Sequence, residues 1–203
     1  RGNKVYNNTI KGLSRQDLSL LDKNNKQIDK LSQEVDNLKD KLFYFIRNLD
    51  ESSLGASNFY INLLGYLQDI TQSLKYISKT SHKHINNNHS KLRLSQIRDL
   101  IEIDEIMDDL FEEIKISFET LSFHKMEIIL KNKKNLFSLV DEKIEAQISR
   151  TRATEDGSPK NTALYFSLLQ ETKDLLKAIM SLIEEYYLSH DDSIKPARAN
   201  NNT

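Results

Sequence analysis

The sequence predicts an all-α protein, an elongated up-and-down antiparallel bundle of about five long helices, and three observations carry that prediction. The 203 residues include only 2 Pro and 5 Gly, too few turn formers for a many-stranded sandwich or barrel. Apolar residues recur at three- and four-residue intervals through most of the chain. No segment alternates apolar and polar residues with the period of two that a half-buried strand needs.

The elements follow in order. Residues 1–12 are polar and Asn-rich without an evident apolar period, so a frayed, disordered N-terminal segment is expected there. Ser14-Arg15-Gln16-Asp17 resembles a capping box with Asp in place of Glu, and Leu21, Ile28, Leu31, Val35, Leu38, Leu42, Phe45 and Leu49 then keep a 3,4 spacing. The first helix is therefore predicted over about residues 14–49. Ser52, Ser53 and Gly55 break the pattern, and Leu63, Leu67, Ile70, Leu74 and Ile77 place a second helix at about 57–86. A polar loop around His84 to Ser90 precedes a third, marked by Ile97, Leu100, Met107, Leu110, Ile114, Phe118 and Leu121, with a junction near Ser122. Met126, Ile129, Leu136, Val140, Ile144 and Ile148 mark the fourth. Ser158 as N-cap and Pro159 as first helical residue open the fifth, which carries Leu164, Leu168, Leu175, Ile179, Leu182 and Tyr186. Residues 191–203 read as a disordered tail. Helices of about 30 residues rise about 45 Å at 1.5 Å per residue, which gives the bundle its elongation.

Composition excludes several functions. A net charge of −1, from 29 basic and 30 acidic residues, lacks the Lys and Arg surplus that phosphate backbones demand, so no nucleic-acid partner is expected. Without Cys there is no disulfide framework, thiolate nucleophile or Cys-ligated zinc, and a reducing cytoplasm fits. The longest wholly apolar run, Leu42 to Ile46, falls far short of the roughly 20 residues of a membrane helix, so no transmembrane helix is expected in this stretch. Charge is also sorted between neighbours: residues 99–119 hold nine acids and one Lys, whereas 123–152 hold seven Lys or Arg against four acids. Exposed ion pairs contribute only about 0 to 1 kcal/mol each, so this sorting bears more on which helices adjoin than on stability.

The chain matches itself. A shift of 105 residues sets Phe59-Tyr60-x-x-Leu63-Leu64-x4-Asp69-Ile70 on Leu164-Tyr165-x-x-Leu168-Leu169-x4-Asp174-Leu175. A shift of 108 sets Lys23-Asn24-Asn25-Lys26-Gln27-Ile28 on Lys131-Asn132-Lys133-Lys134-Asn135-Leu136. Two three-helix units are implied, the first over 13–90 and the second over 91–190, with the first short of one helix.

A tandem of three-helix bundles resembles the PhoU family of phosphate-signalling proteins. Tyr66-Leu67-Gln68-Asp69-Ile70-Thr71-Gln72-Ser73-Leu74-Lys75-Tyr76-Ile77, then His84-Ile85-Asn86-Asn87-Asn88-His89, and Leu169-Gln170-Glu171-Thr172-Lys173-Asp174-Leu175-Leu176 look like the PhoU-like C-terminal tail of bacterial sodium/phosphate cotransporters. The resemblance spans about residues 13–190. It implies a non-catalytic regulatory domain on the cytoplasmic side of the membrane that modulates phosphate uptake through helix contacts. The membrane portion of the same polypeptide would then be its partner. The chain begins with Arg1, as a domain taken from a longer polypeptide would. Metal clusters in the family use an acid, three residues, then Asp on the last helix of each bundle, since i and i+4 share a face. Here Gly65 and Gln170 stand four residues before Asp69 and Asp174, leaving Asp69, Asp174 and the nearby Glu171 as weak candidates for a divalent or iron metal. No cofactor is required on this reading.

Other chemistry is sparse. His82, His84 and His89 form a cluster that either lies on a solvated loop or converges on a metal or anion. No nucleophile elbow or phosphate-cradling Gly loop is present, and no enzymatic activity is expected. Aromatics crowd the first hairpin. Core packing accounts for most of them, but Phe43, Tyr44 and Phe45 are consecutive and cannot all face one way on a helix, so Phe43 and Tyr44 are candidate interface residues. A different class of function also fits: a structural bundle that acts as a homodimerisation or protein-interaction module unconnected with phosphate.

Overall fold

In the computed structural model, which describes residues 1–50, 55–153 and 158–189, the described residues form six α-helices and no strand. They are α1 (Gly2–Arg15), α2 (Leu18–Arg47), α3 (Ser57–Asn86), α4 (Leu94–Glu119), α5 (Phe123–Arg152) and α6 (Pro159–Leu188). The helices pack as an antiparallel bundle of the all-α class that the apolar spacing predicts. The tail at 191–203, and parts of the loops at 50–56 and 151–157, lie outside the described residues.

The N-terminal expectation is overturned. Residues 1–12 belong to α1, whose Val5, Tyr6, Thr9, Ile10 and Leu13 are all buried. The period is hidden in the sequence because Asn residues interleave it, and those Asn residues are themselves used: Asn3 and Asn7 donate to Asp108 and Asp104 of α4 at 2.6 and 2.7 Å. The first unit is accordingly complete in helix number, and its boundary moves from 13 to the start of α1. The capping box is corrected too. Ser14 donates to the Lys11 carbonyl, Gln16 takes a left-handed conformation that ends α1, and Asp17 alone caps α2 by accepting from the Leu20 amide.

The same junction recurs 105 residues later. Leu121 is left-handed like Gln16, and Ser122 caps α5 by accepting from the Lys125 amide, as Asp17 does for α2. Both α2 and α5 run for 30 residues, from Leu18 and from Phe123. Burial follows the same register: Leu21 and Met126 are fully buried, as are Val35 and Val140 nearly so. Phe59, Leu64, Thr71, Leu74 and Ser78 of α3 correspond to Leu164, Leu169, Leu176, Ile179 and Ile183 of α6, every one buried. The repeat therefore runs at 105 throughout, and the shift of 108 for Lys23 to Ile28 gives way to it, since an apolar heptad tolerates a three-residue slip that caps do not.

The two units meet chiefly through α3 and α6, with α1 against α4. Tyr6 of α1 reaches across to share a hydrogen bond with Thr172 of α6 at 2.9 Å. Charge sorting between α4 and α5 is realised at one end only: Lys143 pairs with Asp99 and Glu102, and Arg150 with Asp99. Asp104 and Asp108 face α1 instead. The opposite end is closed by rings, with Tyr186 lying 4.9 Å from Phe118 and 6.2 Å from Phe123 between centroids.

Candidate functional site

Two features of the surface carry chemistry. The first is a groove of about 370 Å³ between α3 and α6, lined among others by Tyr66, Asp69, Ser73, Glu171, Asp174 and Lys177. The fold thus brings all three carboxylates singled out in the sequence to one place. Burial pushes the Glu171 carboxyl up, the Ser73 hydroxyl bonded to it works the other way, and the Asp174 charge adds to the rise.

The groove departs from the carboxylate pattern of the metal clusters that the resemblance implies at Gly65 and Gln170. Among the described residues no three His, Cys, Asp or Glu side chains are placed to share one ion. Gly65 looks onto open space, with nothing within 4 Å of where a Cβ would stand, and Gln170 is exposed and does not line the groove. Lys177 also lines the groove, and its ammonium group has no lone pair with which to ligate a cation.

The second feature comes from a difference between the units. Helix α1 has 14 residues against the 26 of α4, so α4 reaches roughly three turns further along its partners. Arg1 pairs with Glu34, and beyond that level α1 offers α2 no cover. In the second unit the stretch so covered is closed: Tyr165, Leu168 and Thr172 are buried, the Tyr165 hydroxyl donating to Asp99 at 2.8 Å. Their counterparts Tyr60, Leu63 and Leu67 are only half-buried. On α2 the contrast is greater. Lys143 and Arg150 of α5 meet carboxylates of α4, whereas the residues in their register, Leu38 and Phe45, are apolar and 47% and 40% exposed.

Why α2 is helical here despite the missing cover is local. Its a and d positions keep a largely apolar heptad from Leu21 to Phe45, of which Leu21, Ile28 and Val35 are buried and Leu31 partly so, whereas Leu38 and Phe45 are exposed. Phe45 packs edge-on against Tyr60 with centroids 5.6 Å apart, and α3 supports the rest of that face. Phe43 and Tyr44 stand outside the heptad seam, 56% and 73% exposed, so the structure places both at the surface beside it. Their exposure follows from the three consecutive aromatics, whereas Leu38 looks like an ordinary core position until α1 is seen to stop short.

The histidines do not form one cluster. His82 turns to Asp22 of α2 at 2.7 Å, a partner distant in sequence, while His84 and His89 lie with ring centroids 5.0 Å apart. No described helix is long and apolar enough to cross a membrane. Compared with known proteins, the chain matches no family model, no curated protein and no solved structure.

Proposed function

We propose that this chain is a non-catalytic regulatory module that docks an amphipathic helix on the uncovered face of α2 and α3, and that it serves a sodium-dependent phosphate transporter as a PhoU-like domain at the cytoplasmic face of the membrane. The observation that carries the docking is the unequal cover of the two units: Leu38 and Phe45 are exposed and Tyr60, Leu63 and Leu67 half-buried, whereas in the second unit Lys143 and Arg150 meet carboxylates of α4 and Tyr165, Leu168 and Thr172 are buried. A contiguous apolar face of this kind marks an interaction surface, and one anchoring side chain buried there contributes about 2 kcal/mol or more to association. The occupant has to be apolar along its contact stripe, because Leu38 and Phe45 stand where α5 carries Lys143 and Arg150. The duplicated three-helix arrangement supports the PhoU-like reading, as does the placement of Asp69 and Asp174 at matching positions facing one groove.

Phe43→Asp, Tyr44→Asp and Leu38→Asp, made separately, test this by sedimentation of the isolated chain and by phosphate uptake in cells carrying the parent protein. Loss of regulated uptake with an unchanged, monomeric chain supports the transporter reading. Loss of self-association with uptake unaffected would favour a homodimerisation module. Folded variants that alter neither would sink the interface.

A further inference from the structure

At the far end of the bundle a second pocket of about 260 Å³ opens between the C-terminal turns of α3 and the first turns of α6, lined by Lys83, His84, Asn87, His89, Lys160 and Ser167, with Thr80, Ala163 and Leu164. Four basic side chains line it and no described carboxylate does, in a chain whose net charge is −1. Neither Lys83 nor Lys160 forms an ion pair with a described carboxylate.

The arrangement is built rather than incidental. His84 is 5% exposed and donates from Nε2 to the Ser90 carbonyl at 3.1 Å, so Nδ1 is the ring nitrogen left to donate to an anion, which it does in the imidazolium form. Asn161 of α6 donates to the Lys91 carbonyl at 2.8 Å and accepts from the Ser90 hydroxyl, tying the loop that carries His89 to the helix that carries Lys160. The left-handed Asn88 turns the chain between the two histidines. These groups repel one another: His89 is held below the usual histidine range by desolvation, by Lys160 and by His84. An anion relieves that repulsion.

We infer that this pocket binds a compact, multiply charged oxyanion of the phosphate class, either inorganic phosphate or the terminal group of a phosphomonoester, held by Lys83, Lys160, His84 and His89. Donor chemistry selects the class. A planar carboxylate is best matched by a bidentate Arg fork, and no Arg lines the pocket. Separate ammonium, imidazole, amide and hydroxyl donors suit a tetrahedral group with oxygens on several sides.

Calorimetric titration of the whole chain, in buffer free of phosphate and sulfate, tests it with three probes: inorganic phosphate, glycerol 3-phosphate and acetate. Saturable binding of either phosphorylated probe is expected, and the tighter of the two identifies the source of the group. Lys160→Gln and His89→Gln should each weaken it roughly tenfold, the effect of one charge-assisted hydrogen bond. Lys177→Gln, which changes the other groove, should leave it unaltered. No saturable binding of either phosphorylated probe, acetate binding as well as they do, or wild-type affinity in both pocket variants would overturn the assignment.

Discussion

Tyr165 donates to Asp99 at 2.8 Å, while Tyr60, its counterpart in the first unit, packs edge-on against Phe45 and Phe59 with centroids 5.6 and 5.3 Å away. Asp99 also receives Arg150 and Lys143, so desolvation of its carboxylate is overcome and its pKa is held below the usual carboxylate range. Tyr165→Phe removes a bond to a charged acceptor and should lower the unfolding free energy by about 1.5 to 3 kcal/mol. Tyr60→Phe should stay within about 0.5 kcal/mol of wild type. Urea unfolding followed by circular dichroism measures both, and equal effects would contradict the unequal closure of the two units.

Asp104 should make the protein less stable at neutral pH than near pH 4. Burial is the first cause of its raised pKa, lifted from 3.8 to about 6, with the charges of Asp108 and Glu105 adding and the Asn7 bond and Lys11 opposing. One oxygen, Oδ1, has no hydrogen-bond partner among the described residues. Between the unfolded and folded values the native state keeps a proton that the unfolded chain has released. Its contribution therefore destabilises above about pH 6 and is relieved as pH falls toward 4. Asp104→Asn keeps an acceptor for Asn7 and removes the buried charge. Its melting temperature should exceed that of wild type at pH 7.5, and the gap should close near pH 4.5. A constant gap across this range would show that the carboxyl does not titrate there.

What the sequence reveals and hides in this fold depends on whether a signal is local. The long helices were legible because Leu and Ile repeat every three or four residues for several turns, as in α2 and α6. Ser158 was readable as a boundary because Pro159 suits the first helical position, although the Ser158 side chain makes no cap bond, whereas Ser122 marked only a junction and its cap to the Lys125 amide emerges with the fold. Helix α1 was not legible, since Asn3 and Asn7 look like loop residues until their partners appear. Asn24 of α2, fully buried, donates to the Val5 carbonyl and to the hydroxyls of Thr9 and Ser78, groups 15 to 54 residues away. The gathering of Asp69, Glu171 and Asp174 at one groove was foreshadowed by the repeat, whereas the exposure of Leu38 followed from the length of another helix and left no mark on its own neighbourhood.

Glycine substitutions separate close approach from mere permissiveness. A Cβ on Gly12 would stand 2.6 Å from Cγ and Cδ2 of Leu21, a fully buried side chain with little room to move. Gly12→Ala should therefore cost about 1 to 3 kcal/mol and loosen α1 from α2. Gly65, in mid-α3, meets nothing within 4 Å. Gly65→Ala should stabilise by about 0.5 to 1 kcal/mol through helix propensity alone. Thermal unfolding of the two variants should move in opposite directions, and a destabilised Gly65→Ala would mean that something unseen contacts that face of α3.

Lys143 and Leu38 occupy the same register in the two units, and exchanging their chemistry should have unequal consequences. Lys143 is 18% exposed at its side chain and serves Asp99 and Glu102 together. Lys143→Leu would leave Asp99, itself only 15% exposed, with Arg150 as its remaining cation. Breaking part of a shielded ion network should cost about 1 to 3 kcal/mol in urea unfolding. Leu38→Lys meets no such network: at 47% exposure the new ammonium stays in water on its aliphatic stem, and stability should change by less than about 1 kcal/mol. Its effect should appear in association instead, because a charge placed on a docking face is desolvated when an apolar helix covers it, at a cost of several kcal/mol. Sedimentation and uptake measured beside the unfolding curves would then show a variant that folds normally and fails to engage its partner. A Leu38→Lys chain as destabilised as Lys143→Leu would place Leu38 in the core, and the α2 face would be a packing surface after all.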